Sequence, residues 1–579
     1  MNLQRVGFPV LICSYIILAL GYSMIVPLGE APDEVPHFAY VQYLVEHQRL
    51  PAHEGATLGE SHQPPLSYIV GALATFWIPQ SDFQVIANPD YALEDLQAPN
   101  LLLHTRREAF PDSGWTLAWR IIRWLSVAMG AVTVWATWQL AREIFPVQSW
   151  IALGAAGFVA FLPEFLVVRA SVNNDNLNVM LVSLGILLNV RMMQRPLDRR
   201  GDALLGILLG LAVLAKLSGL VLWIFTAEIY LYRAWKNQAW KRVAISAGLC
   251  FAVGLVFLVP WLIYAQIEYG DPLGWSLILS TTPTRQTPVT LASALFYLRG
   301  LFTGFWGRFG GMTQIEMPGG LYAALGALSL LSLTGWLVYA RQVRHKKHDP
   351  KVGSLLALAC AFWAPLLVAH LRFSISILGT DQGRQLFSGL SLLAPLLVVG
   401  LSRFLGKFAA ILWSGGLFML SLIMLLYLHV IYSPPMLDPL SKYSLGRLDV
   451  PIDFGKTIRV IDYRVDKTQI SPGDSINVEF YWQALNPSNE NYWLLLQLDG
   501  KETVAAKSDG VPSAGRRTTD WWQSGQIFFS RHKLVVPVDF APGTYALRMG
   551  LHPFGRWEWL PVRGGDAIDF DNILVTTRP

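Results

Sequence analysis

The chain has 579 residues, of which 53% are hydrophobic and only 15% charged, and its mean hydropathy is +0.39. That composition excludes an ordinary soluble globular protein and indicates a polytopic membrane protein whose partner is the lipid bilayer. The net charge of +5 is what the cytoplasmic loops of a bacterial inner-membrane protein carry, and it gives no reason to expect nucleic acid.

The first apolar run, residues 8–28, is long enough to cross a bilayer of roughly 30 Å as a helix. Arg5 precedes it and no small-x-small cleavage site precedes Glu30, so it reads as an uncleaved first span. Pro32-Asp33-Glu34 follows at once and sets two acids at one membrane face. Such a pair is either a solvated helix cap or the working end of a membrane enzyme.

Residues 30–118 are too rich in charge, proline and histidine to lie in lipid. Within them Phe38, Val41, Leu44 and Val45 recur at helical spacing against His37, Gln42, Glu46 and His47, an amphipathic helix lying in the interface. The apolar piece at 66–78 is too short to span. A second span at 121–140 and a third at 150–168 lead to the polar island 169–176, and a fourth starts at Leu177.

The next apolar stretch, 203–232, is interrupted at Lys216-Leu217-Ser218-Gly219. One long helix would separate the basic clusters at its two ends, whereas two short helices turning at Lys216 keep both on one side. The preference of cytoplasmic loops for Lys and Arg favours the turn, with Lys216 near the outer face. A span at 243–264 opens a second outer loop, 265–318, and spans near 319–340, 353–370, 386–402 and 408–432 follow. Arg341, Arg344, Lys346, Lys347, Arg403 and Lys407 then fall on the cytoplasmic side. The reading is about eleven spans in residues 1–435, N-terminus in, as a multi-pass protein of the inner (plasma) membrane. Cys13, Cys250 and Cys360 all lie in apolar runs, which argues against a disulfide framework or a cysteine metal site.

Beyond Pro434-Pro435 the pattern changes. Ile476, Val478, Phe480 and Trp482 alternate with polar or half-polar residues, as do Tyr545, Leu547 and Met549. Pro472-Gly473-Asp474, Asp499-Gly500, Asp509-Gly510 and Pro542-Gly543 punctuate the runs. Residues 450–579 therefore read as an antiparallel β-sandwich on the extracytoplasmic side.

Sorted by side, Asp33, Glu34, His62, His104, Arg169, Asp175, Lys216, Arg308 and Arg384 all map to the outer face, where they can converge on one cavity. Each has a plainer role open to it. Asp33 and Asp175 can cap helices, and Glu34 can be a solvated first-turn acid. Lys216 can snorkel to the interface. His62 and His104 can be ordinary loop residues, and Arg384 can orient its span. Two histidines with several acids could also hold a divalent metal, although no recognised ligand spacing is present.

The ordered set formed by the Asp-Glu pair, the interfacial helix, Gln63-Pro64-Pro65-Leu66, the Asn-Asp island with Asn174 and Asp175, Leu214-Ala215-Lys216-Leu217-Ser218-Gly219 and Gln382-Gly383-Arg384 resembles the C-type (GT-C) glycosyltransferases. Within them it is similar to bacterial relatives of protein O-mannosyltransferases and aminoarabinose transferases. The resemblance covers residues 1 to about 432. It implies a sugar donor on a polyprenyl phosphate, transfer at the extracytoplasmic face to an acceptor glycan, lipid or protein, and the first-loop aspartate, here Asp33 beside Glu34, as base. Aminoarabinose transferases have a lysine before the Pro-Pro pair that helps hold the donor phosphate. Gln63 stands there in this chain, so Lys216, Arg308 or Arg384 would have to supply the charge. A single base with no second nucleophile implies inversion at the anomeric carbon. Two other classes compete: a transporter or flippase of lipid-linked glycans, and a non-catalytic anchor for a glycan-binding sandwich.

Overall fold

The computed structural model describes residues 3–576 other than 53–58, 93–97, 197, 345–349, 434–447, 449, 501–503 and 563–564. Lys346, Lys347, Pro434 and Pro435 lie outside the described residues. α1 (Leu3–Ile25) is followed by α2 (Glu34–His47) and α3 (Leu66–Thr75), which with the start of α4 (Trp115–Ile144) bury Phe38, Tyr40, Val41, Tyr68, Trp115 and Trp119 in a small core of their own. This core is built largely from the segment that joins α1 to α4. α2 buries the expected Phe38 and Val41, but His37, expected on its wet face, is also buried.

The third span is two helices, α5 (Ser149–Ala160) and α6 (Pro163–Arg169), bent by 61°. Pro163 opens α6 at a position where its missing N–H costs nothing. α7 (Asp175–Gln194) leads to α8 (Arg199–Ala215) and α9 (Leu220–Asn237), which form a hairpin. Trp223 Nε1 donates to the Leu209 carbonyl at 3.0 Å and Tyr230 Oη to Asp202 Oδ1 at 2.6 Å, so the two helices run antiparallel from the break at Lys216. Arg233 Nη2 donates to the Arg195 carbonyl at 2.9 Å, which puts the two basic clusters at the same end. The turn read from charge asymmetry is therefore the observed one.

α10 (Trp240–Tyr269), α11 (Trp275–Thr281) and α12 (Leu291–Trp306) lead to a short hairpin of β1 (Arg308–Phe309) and β2 (Ile315–Glu316). α13 (Gly319–Arg344), α14 (Pro350–Ser376), α15 (Leu390–Leu405) and α16 (Phe408–Tyr432) complete the bundle. Among the described residues eight helices are long and apolar enough to cross a membrane, or nine with the bent pair as one span. α8 and α9 stand where the sequence placed two more, so the count of eleven includes a pair that is shorter or more polar than the rest.

The last domain is a two-sheet β-sandwich. One sheet orders β5 (Gln469–Ile470), β11 (Ile568–Val575), β10 (Gly543–Pro553), β7 (Tyr492–Asp499) and β8 (Val504–Gly510); the other orders β3 (Ile452–Phe454), β4 (Ile458–Val465), β6 (Ser475–Ala484) and β9 (Ile527–Val535). Pairing is antiparallel except between β5 and β11. The alternation read in β6 and β10 is the burial pattern, with Ile476, Val478, Phe480, Trp482, Leu547 and Met549 fully enclosed.

Candidate functional site

The turn after α1 separates the two acids. Glu34 is 1% exposed and accepts from Trp119 Nε1 at 2.9 Å, from Arg123 Nε and Nη2 at 2.7 and 2.6 Å, and from the Gly29 and Val172 amides at 3.0 and 2.9 Å. Arg123, fully buried, also donates to the Ser23, Val26 and Pro27 carbonyls. Burial works to raise the Glu34 pKa, but Arg123 and the other donors outweigh it and hold the carboxyl below its usual range. Glu34 thus fastens α1, α2, α4 and the segment after α6 together.

Asp33 has the opposite environment. It occupies the N-cap position of α2 with a left-handed backbone (φ 59°, ψ 12°), yet its side chain makes no cap hydrogen bond. Aspartate tolerates that conformation better than most residues, and such strain concentrates at functional sites. Its side chain is 51% exposed and accepts from Arg384 Nη2 at 2.5 Å. Desolvation works to raise its pKa; Arg384, His37 and Lys216 outweigh it and hold the carboxyl below the usual range.

A second ion pair stands beside the first. Lys216 Nζ, at the tip of the α8–α9 hairpin, donates to Asp175 Oδ1 at 2.7 Å. Asp175 opens α7 but spends its carboxylate on Lys216, so neither aspartate acts as a cap. Asn178 Nδ2 donates to the Ala212 carbonyl at 2.9 Å, fixing the hairpin against α7. Asn174 Nδ2 donates to Gln63 Oε1 at 3.2 Å, and Gln63 Nε2 lies 3.1 Å from His62 Nε2. Burial and the nearby Lys216 push the His62 pKa down to about 4.

Two residues that sequence reasoning passed over also face this cluster. His37 lies one turn after Asp33, so the two share a helix face, and its Nδ1 is 2.9 Å from Tyr68 Oη. Burial pushes its pKa down to about 4, against the pull of Asp33, leaving it neutral at physiological pH. Glu60 has Oε2 buried without a hydrogen-bond partner, and burial next to Asp33 pushes its pKa up to about 8. The i, i+4 spacing could have revealed His37; nothing in the sequence marks Glu60.

The remaining candidates lie around this cluster. Arg308 Nη1 donates to Asp381 Oδ2 at 3.2 Å and its amide to Glu164 Oε2 at 3.0 Å. It adjoins the Gln382-Gly383-Arg384 segment, while its Nε is 3.5 Å from Glu316. Glu316 and Arg299 stand at one end of an open groove of about 590 Å³ between α12 and α13, lined by Phe302, Tyr322, Ala323, Gly326 and Leu330. Arg169 is fully buried, donates to the Asp175 carbonyl at 3.0 Å and stacks over Phe165. His104 has both ring nitrogens against carboxylates, Nε2 at 3.1 Å from Glu30 and Nδ1 at 2.9 Å from Glu108. Burial lowers its pKa, but the two glutamates outweigh it and push it up to about 10.

Asp33, His62, Gln63, Asn174, Asp175, Lys216 and Arg384 are thus brought together; Arg308 adjoins them, and Glu34, His104 and Arg169 brace the surroundings. Among the described residues no three or more His, Cys, Asp or Glu side chains are grouped so as to hold a metal ion. Chemically the cluster offers one exposed carboxylate between two cations, suited to taking a proton beside a phosphate.

Residues 118–264, which carry Asp175 and Lys216, match the family model described as dolichyl-phosphate-mannose-protein mannosyltransferase. No curated protein matches the chain. Among solved structures, ArnT from Cupriavidus metallidurans bound to undecaprenyl phosphate is 15% identical, with 73% of this chain and 71% of that one covered and a TM-score of 0.42. The Archaeoglobus fulgidus oligosaccharyltransferase complex with Zn and sulfate is 12% identical over 72% of this chain and 52% of that one, TM-score 0.39. The Pmt1-Pmt2 protein O-mannosyltransferase complex of S. cerevisiae, bound to the sugar donor, is 17% identical over 46% and 34%, TM-score 0.34. The chain spans about half the length of the archaeal enzyme and about a third of the yeast one. With the family match falling on α4 to α10, the resemblance read from the sequence holds: this chain is similar to the GT-C glycosyltransferases.

Proposed function

We propose that the protein is an integral-membrane glycosyltransferase that moves a sugar from a polyprenyl-phosphate donor to an acceptor hydroxyl at the extracytoplasmic face, with Asp33 as the base. The observation that carries this reading is Asp33 itself: a strained N-cap that caps nothing, half exposed, and bound to a cation 351 positions away in the chain. The donor phosphate competes with Asp33 for Arg384, and Lys216 adds a second positive charge beside it. Once Arg384 turns to the phosphate, Asp33 loses the partner that depresses its pKa and its affinity for a proton rises.

The acceptor O–H proton then passes to Asp33, the acceptor oxygen bonds to the anomeric carbon, and the bond from that carbon to the phosphate oxygen breaks with its electrons leaving on the polyprenyl phosphate. A lipid phosphate leaves readily, so no strong general acid is needed. Attack opposite the leaving group inverts the anomeric centre. The apolar groove between α12 and α13 gives the polyprenyl chain a place to lie next to Arg308. Any divalent metal would have to be drawn in by the donor phosphate together with carboxylates such as Asp33 and Asp175 that are now held by cations, and loss of transfer on chelation would reveal it.

The test is transfer of radiolabelled sugar from a polyprenyl-phosphate donor pool to endogenous acceptors in membranes, comparing wild type with Asp33→Asn at equal amounts of folded protein. A loss of about 10²- to 10⁴-fold is expected. Equal transfer would overturn the reading and leave the transporter or the anchor.

A further inference from the structure

The first outer loop of the membrane domain is held by the sandwich, and the hold can be followed to within a few residues of Asp33. The two arms of this loop pair with each other through the Asn88 amide and the Leu101 carbonyl at 2.9 Å and the Leu103 amide and the Ile86 carbonyl at 2.9 Å. Asp90, in the first arm, has Oδ1 2.8 Å from His532 Nδ1 of β9 and accepts from the Val511 amide at 2.7 Å. Both side chains of the Asp90–His532 pair are almost fully enclosed, at 6% and 1% exposure. Beside that pair the sandwich presents a strained turn: Ser513, Ala514 and Gly515 are all left-handed, at φ 67°, 51° and 73°. That turn aims the Gly515 carbonyl at Asn100 Nδ2, 3.1 Å away.

The last link passes through His104. Its carbonyl accepts from Thr518 Oγ1 at 2.8 Å and from Trp521 Nε1 at 3.2 Å, and the neighbouring Arg106 amide donates to Asp520 Oδ2 at 2.7 Å. Its ring reaches the other way, to Glu30. Glu30 is fully buried and accepts from the Leu101 and Leu102 amides at 3.0 and 2.9 Å, three residues before Asp33. Gly29, at φ 84°, lies so close to this loop that a Cβ there would stand 2.5 Å from Leu102 Cδ1.

We infer that the sandwich is a positioning domain for the membrane-face site: its 511–521 turn clamps the first outer loop, and His104 with Glu30 carries that hold to the turn that presents Asp33. The inference assigns the appended domain a task that needs no ligand of its own. It rests on the glycosyltransferase reading only for the consequence on catalysis, not for the mechanical coupling.

Thr518 provides the mildest test, because Thr518→Val keeps the shape and removes the hydroxyl that lies between the His104 carbonyl and Asp520 Oδ1. In the full chain in lipid nanodiscs, amide exchange of residues 98–108 and of residues 26–34 is expected to speed up about three- to tenfold, with β6 and β9 unchanged. Thr518→Ser should restore wild-type exchange in both segments. Asp90→Asn, which weakens a different anchor of the same clamp, should also speed exchange in residues 26–34. Faster exchange confined to 98–108, in both Thr518→Val and Asp90→Asn, would overturn the inference by showing that the hold stops at the loop.

In the transfer assay Thr518→Val should lower kcat with the donor KM unchanged, and Thr518→Ser should recover it. A changed KM at constant kcat would likewise overturn the positioning role. Absence of transfer by the wild-type protein would overturn the glycosyltransferase reading instead, with the exchange measurement still deciding the coupling.

Discussion

At the scale of single residues, the neighbours Asp33 and Glu34 divide work that the sequence left shared between them. Adjacent positions on a helix point in different directions, so only one of the pair can face inward. Glu34 faces a fully buried arginine, and Glu34→Gln removes the charge that balances it. A loss of about 3–5 kcal/mol is expected, read as a lowered unfolding temperature in detergent. Asp33→Asn breaks a pair whose carboxylate is half exposed, and the buried Arg384 keeps Asp175 near it, so its cost to stability should be smaller than that of Glu34→Gln while transfer collapses. Equal destabilisation by the two substitutions would refute this division. Glu60 supplies a pH test. Its folded pKa, about 8, is raised above the ordinary 4.5, so the unfolded chain gives up this proton first and stability drains away as pH climbs from about 4.5 through about 8. Glu60→Gln should therefore gain stability relative to wild type across that window, measured by thermal unfolding at a series of pH values; a constant difference would contradict the assignment. Much of this site was legible as a set of charges at span ends, but its pairings were not: Asp33 and Arg384 stand 351 positions apart. Arg123 was the missed signal, an arginine just inside an apolar run, where a buried charge demands a partner.

At the scale of elements, the position of Arg384 depends on how closely its segment approaches α12. A Cβ on Gly383 would stand 2.2 Å from the Phe305 amide nitrogen and 2.5 Å from the Leu301 carbonyl oxygen, both backbone atoms of that helix. Gly383→Ala must therefore push the segment away and carry Arg384 from Asp33. Displacements near 1 Å at a reacting centre cost about 10²-fold, and transfer should fall by that order while the protein still folds. Unchanged transfer would mean that Arg384 is not needed where it stands. The periodic elements were the easiest to read. β6 shows the period of two residue by residue, and the α8–α9 hairpin was fixed by where its basic ends must lie. α12 was not read, because 16 apolar-rich residues inside a loop otherwise full of charge are too few for a span. The break at Pro163 was missed for a related reason: hydropathy runs smoothly through a bend that the backbone cannot.

At the scale of the whole molecule, the polar connections sort into two sets at opposite ends of the bundle. One end holds the Asp33–Arg384 and Asp175–Lys216 pairs and the loop clamped by the sandwich. The other holds Glu143 with Arg191, the Arg233 bond to the Arg195 carbonyl and the Arg403 bond to Gln342. Counting α8 and α9 as two crossings or as none changes the number of spans by two, so the parity is the same: with the bent pair as one span, the count among the described residues is odd either way. An odd count puts the start of α1 and the sandwich on opposite faces, and from the preference of cytoplasmic loops for Lys and Arg we propose that the end with the second set is the cytoplasmic one. A single cysteine placed at Gln523, in an exposed turn of the sandwich, should react with a membrane-impermeant maleimide in intact cells. One placed at Asn237, at the end of α9, should react only after lysis. The reverse pattern would put Asp33 on the cytoplasmic face, where a soluble nucleotide sugar is within reach, and the lipid-linked donor would lose its main advantage over it.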